Sequence, residues 1–170
     1  MIIYIIGLSG AGKTTLAKDL YKSIKKKSQN VLWFDGDFLK KIIPSNGKHD
    51  LKSRTERYKK MIQIAKFAYD QKINIIVSTL YFNNSFFKNN KKLFKNYFQI
   101  YLKADVKDLI KRDSRKIYSK NINKKKPFLV GIDLKWNEPK KSNLVIKNFF
   151  NKKKDMIKKQ ILKKLKNKLF

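Results

Sequence analysis

Apolar residues fall along the chain in short runs that alternate with stripes at helical spacing. Residues 2–6 are continuously apolar and end on Gly7, the pattern of a strand covered on both faces. From Thr14 to about Lys27, the apolar positions Leu16, Ala17, Leu20, Tyr21 and Ile24 recur every three or four residues and predict a helix. Val31-Leu32-Trp33-Phe34 predicts a second strand, closed by Asp35-Gly36-Asp37. A long helix is expected over 53–71, with Tyr58, Met61, Ile62, Ala65 and Ala68 on one stripe, and a strand from Ile73 to Thr79 follows at once. Tyr97 to Leu102 predicts a fourth strand, Val106, Leu109 and Ile110 open another helix, and Leu144-Val145-Ile146 is a short last strand. The polar, basic stretch 121–126 has no periodicity and is expected to be a mobile loop. From Asn151 onward Ile157, Ile161, Leu165 and Leu169 stand four apart, giving an amphipathic helix with lysines on its outer face.

Strands alternating with helices predict an α/β fold with a central parallel β-sheet flanked by helices. The length, 170 residues with neither repeat nor linker, fits one domain over 1–170. Two readings are open for the C-terminal helix. Basic amphipathic helices bind anionic lipid, but packing of its apolar stripe on the sheet is the expected outcome.

Composition changes this picture little. The chain has 43 basic and 12 acidic residues, a formal net charge of +31. Such a charge suits a polyanionic partner. Only Arg54, Arg57, Arg112 and Arg115 are arginines, however, and readers of base edges favour the guanidinium fork. Lys, Ile, Asn and Phe, all with AT-rich codons, make up about half the chain. Biased composition therefore accounts for much of the charge, and no specific nucleic-acid partner is expected. The absence of cysteine and the single histidine, His49, exclude disulfides, thiol catalysis and Cys- or His-rich metal sites. The apolar start is too short for a membrane span and lacks a signal-peptide pattern, so a cytoplasmic protein without a membrane partner is expected.

The chemistry lies in Gly7-Leu8-Ser9-Gly10-Ala11-Gly12-Lys13-Thr14, a full P-loop match placed between a strand and a helix. Glycines let backbone N–H groups turn onto phosphates, and the following helix aims its positive end at them. Lys13 would reach the β- and γ-phosphates of a nucleoside triphosphate, and the Thr14 hydroxyl would hold Mg²⁺. Asp35 and Asp37 stand at a strand carboxyl end, where open α/β sheets bind ligands. They could serve a metal and an acceptor hydroxyl, or merely form a turn and a helix N-cap.

The strings GLSGAGKTT at 7–15 and FDGDFLK at 34–40 together resemble the adenylylsulfate kinases, which use ATP to phosphorylate the 3′-hydroxyl of adenosine 5′-phosphosulfate. The resemblance runs through nearly the whole chain. Ser53-Arg54-Thr55-Glu56-Arg57 falls at the family's Asp-Arg-x-Glu-Asn element, and Arg112 to Tyr118 resembles its Arg-Asp-Pro-Lys-Gly-Leu-Tyr lid segment. Gly131-Ile132-Asp133, with Trp136, Glu138 and Pro139, is similar to the family's Gly-Ile-Asp run ending in Tyr-Glu-x-Pro.

The departures gather at the acceptor end. Lys40 replaces an arginine, Arg57 an asparagine and Ser53 an aspartate; His49 and Leu129 stand where the family has the aromatics that hold adenine; Tyr81-Phe82-Asn83-Asn84 replaces Ser-Pro-Tyr-Arg. An intact triphosphate end with a rewritten base clamp is similar to one branch of the family, the cytidine diphosphoramidate kinases of capsular polysaccharide modification.

The resemblance implies a P-loop kinase fold with a mobile lid over about 112–130, ATP and Mg²⁺ as cofactors, and a small nucleotide as acceptor. It places Gly7, Ser9, Gly10, Ala11, Gly12, Lys13, Thr14, Thr15 and Arg115 on the triphosphate, and Thr14 and Asp35 at the metal. Lys13, Asp35 and Arg112 become the catalytic candidates. Asp37, Lys40, His49, Arg54, Arg57, Phe128 and Leu129 become the acceptor candidates, with Phe128 and His49 either stacking on the base or simply packing. Adenylylsulfate is the alternative acceptor, a homodimer is left open, and a basic P-loop ATPase acting on nucleic acid is the competing class.

Overall fold

The computed structural model describes residues 1–43, 51–80, 84–113, 116–119, 129–134, 137–147, 149–151 and 153–169, with the backbone alone at 40, 51, 84 and 166–169. Elements run β1 (Ile2–Gly7), α1 (Lys13–Lys25), β2 (Val31–Asp35), α2 (Gly36–Ile42), α3 (Leu51–Asp70), β3 (Asn74–Leu80), α4 (Asn84–Leu93), β4 (Tyr97–Lys103), α5 (Val106–Arg112), β5 (Leu144–Lys147), a 3₁₀ turn (Phe149–Asn151) and α6 (Lys154–Leu169). The five strands form one sheet in the order β2-β3-β1-β4-β5, and all four pairings are parallel.

β1 is central, and all six of its residues are buried. Its side chains alternate between faces, as the pleat requires. Ile3 and Ile5 join Leu16, Leu20 and Ile24 of α1 and Ile157, Ile161 and Leu165 of α6 in one core. Ile2, Tyr4 and Ile6 point the other way and join Met61 and Ala65 of α3 with Phe87 and Phe94. Burying each such isoleucine contributes about 1.5–3 kcal/mol, so the apolar run at 2–6 anchors both layers.

The predicted strands and long helices are present, with ends shifted by one or two residues. On α3, Tyr58, Met61, Ala65 and Ala68 are buried as the stripe requires. The C-terminal helix packs rather than presenting an apolar face to lipid: Ile157, Ile161 and Leu165 lie in the core. No helix among the described residues is long and apolar enough to cross a membrane. The chain also has elements that periodicity misses. α2 begins inside the Asp-Gly-Asp turn, α4 is rich in Asn and Lys, and the final helix starts at Lys154 after a separate 3₁₀ turn.

Candidate active site

The P-loop closes the carboxyl end of the central strand and runs into α1. Gly12 is the N-cap of α1 at φ 92°, ψ 15°, the left-handed region that glycine adopts without strain. It has no side chain to occupy the first N–H groups of the helix, which leaves that end suited to an anion. A Cβ at Gly12 would lie 2.7 Å from Cδ1 of Phe149, so the ring of the 3₁₀ turn supports the loop from below. Leu8 and Ala11 are buried, Ser9, Gly10, Lys13 and Thr14 half-buried, and Thr15 exposed. Lys13 Nζ donates to the Leu8 carbonyl at 2.7 Å, which folds its side chain across the loop.

β2 delivers Asp35 to the same place. Thr14 Oγ1 donates to Asp35 Oδ2 at 2.8 Å, linking residues 21 apart. The other carboxylate oxygen, Oδ1, accepts from the backbone N–H of Asp37 at 2.9 Å and of Phe38 at 3.4 Å, capping α2. One oxygen of Asp35 thus forms the turn and helix cap, while the other faces the P-loop threonine. Asp37 is exposed on the first turn of α2. Ser78 Oγ of β3 also donates to Asp35 Oδ2, at 2.7 Å, and in turn accepts from Trp33 Nε1 at 3.0 Å. Neither Ser78 nor Trp33 stood out in the sequence.

Two further segments close on the loop. The Tyr118 hydroxyl donates to the Ser9 carbonyl at 2.9 Å. Its backbone N–H and that of Ser119 donate to the two oxygens of Asp113, at 2.9 and 2.8 Å. Burial works to raise the Asp113 pKa, but hydrogen bonds from the Ser119 hydroxyl and the N–H groups of Ser119, Tyr118 and Ile117 outweigh it and hold the carboxyl at about 2. Tyr118 is pushed up to about 12, by burial first and by the Asp113 charge second. The Gly131-Ile132-Asp133 turn also approaches the loop, and a Cβ at Gly131 would lie 3.2 Å from Leu8 Cδ2. Asp133 Oδ2 accepts from the Leu129 N–H at 2.8 Å, and Leu129 packs against the core that contains Leu8.

Arg112, exposed at the end of α5, stacks its guanidinium 4.3 Å from the ring centroid of Phe150. The neighbouring Phe149 lies under Gly12, so one 3₁₀ turn seats both the loop and an arginine. Arg54 and Arg57 are half-buried near the start of α3, three apart and therefore on one face. Lys40 lies on α2, and nothing is described of its side chain; His49, Arg115, Phe128 and Trp136 lie outside the described residues, as does most of the expected lid and the 121–126 loop. Glu138 pairs with Lys103 at 2.8 Å on the surface.

Among the described residues no group of three or more His, Asp or Glu could hold a metal unaided. One hydroxyl and one carboxylate beside a phosphate loop fit Mg²⁺, which takes hard oxygens and completes its shell with water and substrate phosphate.

Residues 1–147 match the family described as adenylylsulphate kinase. The chain belongs to that family. It is 37% identical over 86% of its length, and 85% of the relative's, to "Cytidine diphosphoramidate kinase" of Campylobacter jejuni. It is 28% identical to "Probable adenylyl-sulfate kinase" of Archaeoglobus fulgidus, over 85% of this chain and 94% of that one. "Adenylyl-sulfate kinase" of Bacillus licheniformis is 27% identical over 85% of this chain and 75% of its own. The fold agrees with that of the Mycobacterium tuberculosis APS kinase CysC in complex with AMPPNP and APS, at a TM-score of 0.85 and 19% identity over 97% of this chain and 96% of the other. These relatives are kinases, and the family match makes this chain a member of an ATP-using phosphotransferase family.

Proposed function

We propose that this chain transfers the γ-phosphoryl group of ATP to the ribose 3′-hydroxyl of cytidine diphosphoramidate, in the phosphoramidate modification of capsular polysaccharide. The observation that carries phosphoryl transfer is the Thr14–Asp35 hydrogen bond at the mouth of an intact P-loop. The acceptor is supported by the 37% identity to the Campylobacter enzyme, against 28% and 27% for the adenylylsulfate relatives over a similar share of the chain.

In this reading the N–H groups at the start of α1 cradle the phosphates, and Lys13 swings from the Leu8 carbonyl to the β,γ-oxygens. Thr14 would hold Mg²⁺ directly, and Asp35 would reach it through water or orient the attacking 3′-hydroxyl; the ion would supply positive charge to the phosphates. Asp35 accepts the Thr14 hydroxyl proton and leaves the Thr14 oxygen lone pairs to the metal. Arg112, held on Phe150, and Arg115 neutralise the charge that develops as the phosphoryl group moves. Asp37, Lys40, Arg54, Arg57, His49, Phe128 and Leu129 form the acceptor side, the arginines gripping its phosphate or phosphoramidate.

Adenylylsulfate, the acceptor in the family's description, is the second reading. Assaying ATP-dependent 3′-phosphorylation across a panel of nucleotides separates the two. The expected result is a kcat/KM at least tenfold higher for cytidine diphosphoramidate, with Lys13→Ala lowering kcat by about a hundredfold or more. A higher kcat/KM for adenylylsulfate overturns the acceptor, and a Lys13→Ala variant within tenfold of wild type overturns the site.

A further inference from the structure

Asp35 is held from a direction that the P-loop does not supply. Ser78 stands opposite Asp35 in the register of β2 and β3, and Trp33 is two residues earlier on β2, so all three side chains share one face of the sheet. Ser78 is 2% exposed. The Trp33 indole is set by its contact with Tyr21 of α1, ring centroids 6.2 Å apart.

The order of donors is fixed by chemistry. An indole N–H can only donate, so the 3.0 Å bond from Trp33 Nε1 must occupy a lone pair of Ser78 Oγ. The serine proton is thereby directed to Asp35 Oδ2, 2.7 Å away. With Thr14 on the same oxygen and two backbone N–H groups on Oδ1, the carboxylate receives four donors and its plane is pinned on both edges.

We infer that Trp33 and Ser78 are positioning residues for phosphoryl transfer, a relay that holds the Asp35 carboxylate in the orientation where it accepts the Thr14 proton. The inference rests on the reading of this site as an MgATP-dependent kinase. Without the relay, Asp35 keeps its cap on α2 but its Oδ2 is free to swing, and Thr14 loses a fixed acceptor. Trp33 acts only through the serine hydroxyl.

Three variants test it: Ser78→Ala, Trp33→Phe and the pair together. Ser78→Ala is expected to lower kcat about tenfold with the acceptor KM within twofold, and Trp33→Phe to lower it about threefold. The double variant is expected to be no slower than Ser78→Ala alone, because the second change removes a donor whose acceptor is already gone. A second readout needs no turnover. The Trp33 indole ¹H–¹⁵N resonance, assigned by its loss in Trp33→Phe, should shift when MgATP is added to wild type and shift by less than half as much in Ser78→Ala. Multiplying costs in the double variant, or an unchanged kcat in Ser78→Ala, overturns the relay. Should Ser78→Ala fail to fold, an unchanged kcat in Trp33→Phe overturns it equally. A wild-type protein inactive on every acceptor counts against the kinase reading instead, and the indole shift still decides the relay.

Discussion

A methyl group on Gly12 has no room: the residue is at φ 92° and the Phe149 ring lies 2.7 Å from where the carbon would be. Gly12→Ala is therefore expected to displace the loop and weaken ATP binding at least tenfold by titration calorimetry, and an affinity within twofold of wild type would show that the loop tolerates the side chain. The glycine spacing of the P-loop was legible in the string, because each glycine answers a local backbone demand. Asp35 was only half legible. Its place at a strand end is local, but the division of its two oxygens between α2 and Thr14 depends on a contact across 21 residues. Ser78 was not legible, since a small polar residue inside a buried strand carries no periodic signal and its use depends on the register with β2. The resemblance points to Arg112, but its seat on Phe150 comes from a turn that the string does not announce.

Among the elements, long amphipathic patterns are legible in the string and short polar ones are not. α4 has three apolar residues in ten and is fixed from outside, through buried Phe87 and through Asn90, whose side-chain amide donates to the Tyr58 hydroxyl. α6 was legible because its stripe is regular. Ile161 on that stripe is fully buried, so Ile161→Ala is expected to cost about 2–5 kcal/mol in urea unfolding; a loss within experimental error would mean that the helix is not part of the core. The exit from α5 has its own pH signature. The Asp113 pKa is lowered in the folded chain to about 2, so the stability it lends is present above the ordinary carboxylate range and is lost as pH falls through about 2. The melting-temperature gap between wild type and Asp113→Ala is therefore expected to be widest near neutral pH and to narrow between about pH 5 and pH 2. A gap that stays constant with pH would show that the carboxylate charge is not what holds the 117–119 turn.

For the whole molecule, a net charge of +31 is the property most easily misread. In the proposed reading the four arginines serve small anionic substrates, and the lysines are spread over most elements. Single-stranded DNA or RNA is expected to bind weakly, with affinity falling steeply as salt rises, and to leave ATP turnover within twofold at about 150 mM salt. Stimulation by nucleic acid would favour the competing ATPase class. The strand order has a consequence for synthesis. β1 leaves the ribosome before its neighbours β3 and β4, and the loop it presents rests on Phe149. At roughly 5–20 residues per second, about 70 residues and several seconds separate the end of β1 from the end of its first partner. During that interval an apolar strand waits unpaired, a hazard for misassociation. In the proposed reading nucleotide would find a seated phosphate loop only once the distant 3₁₀ turn has emerged, so ATP would stabilise the finished sheet and give no help to the nascent one.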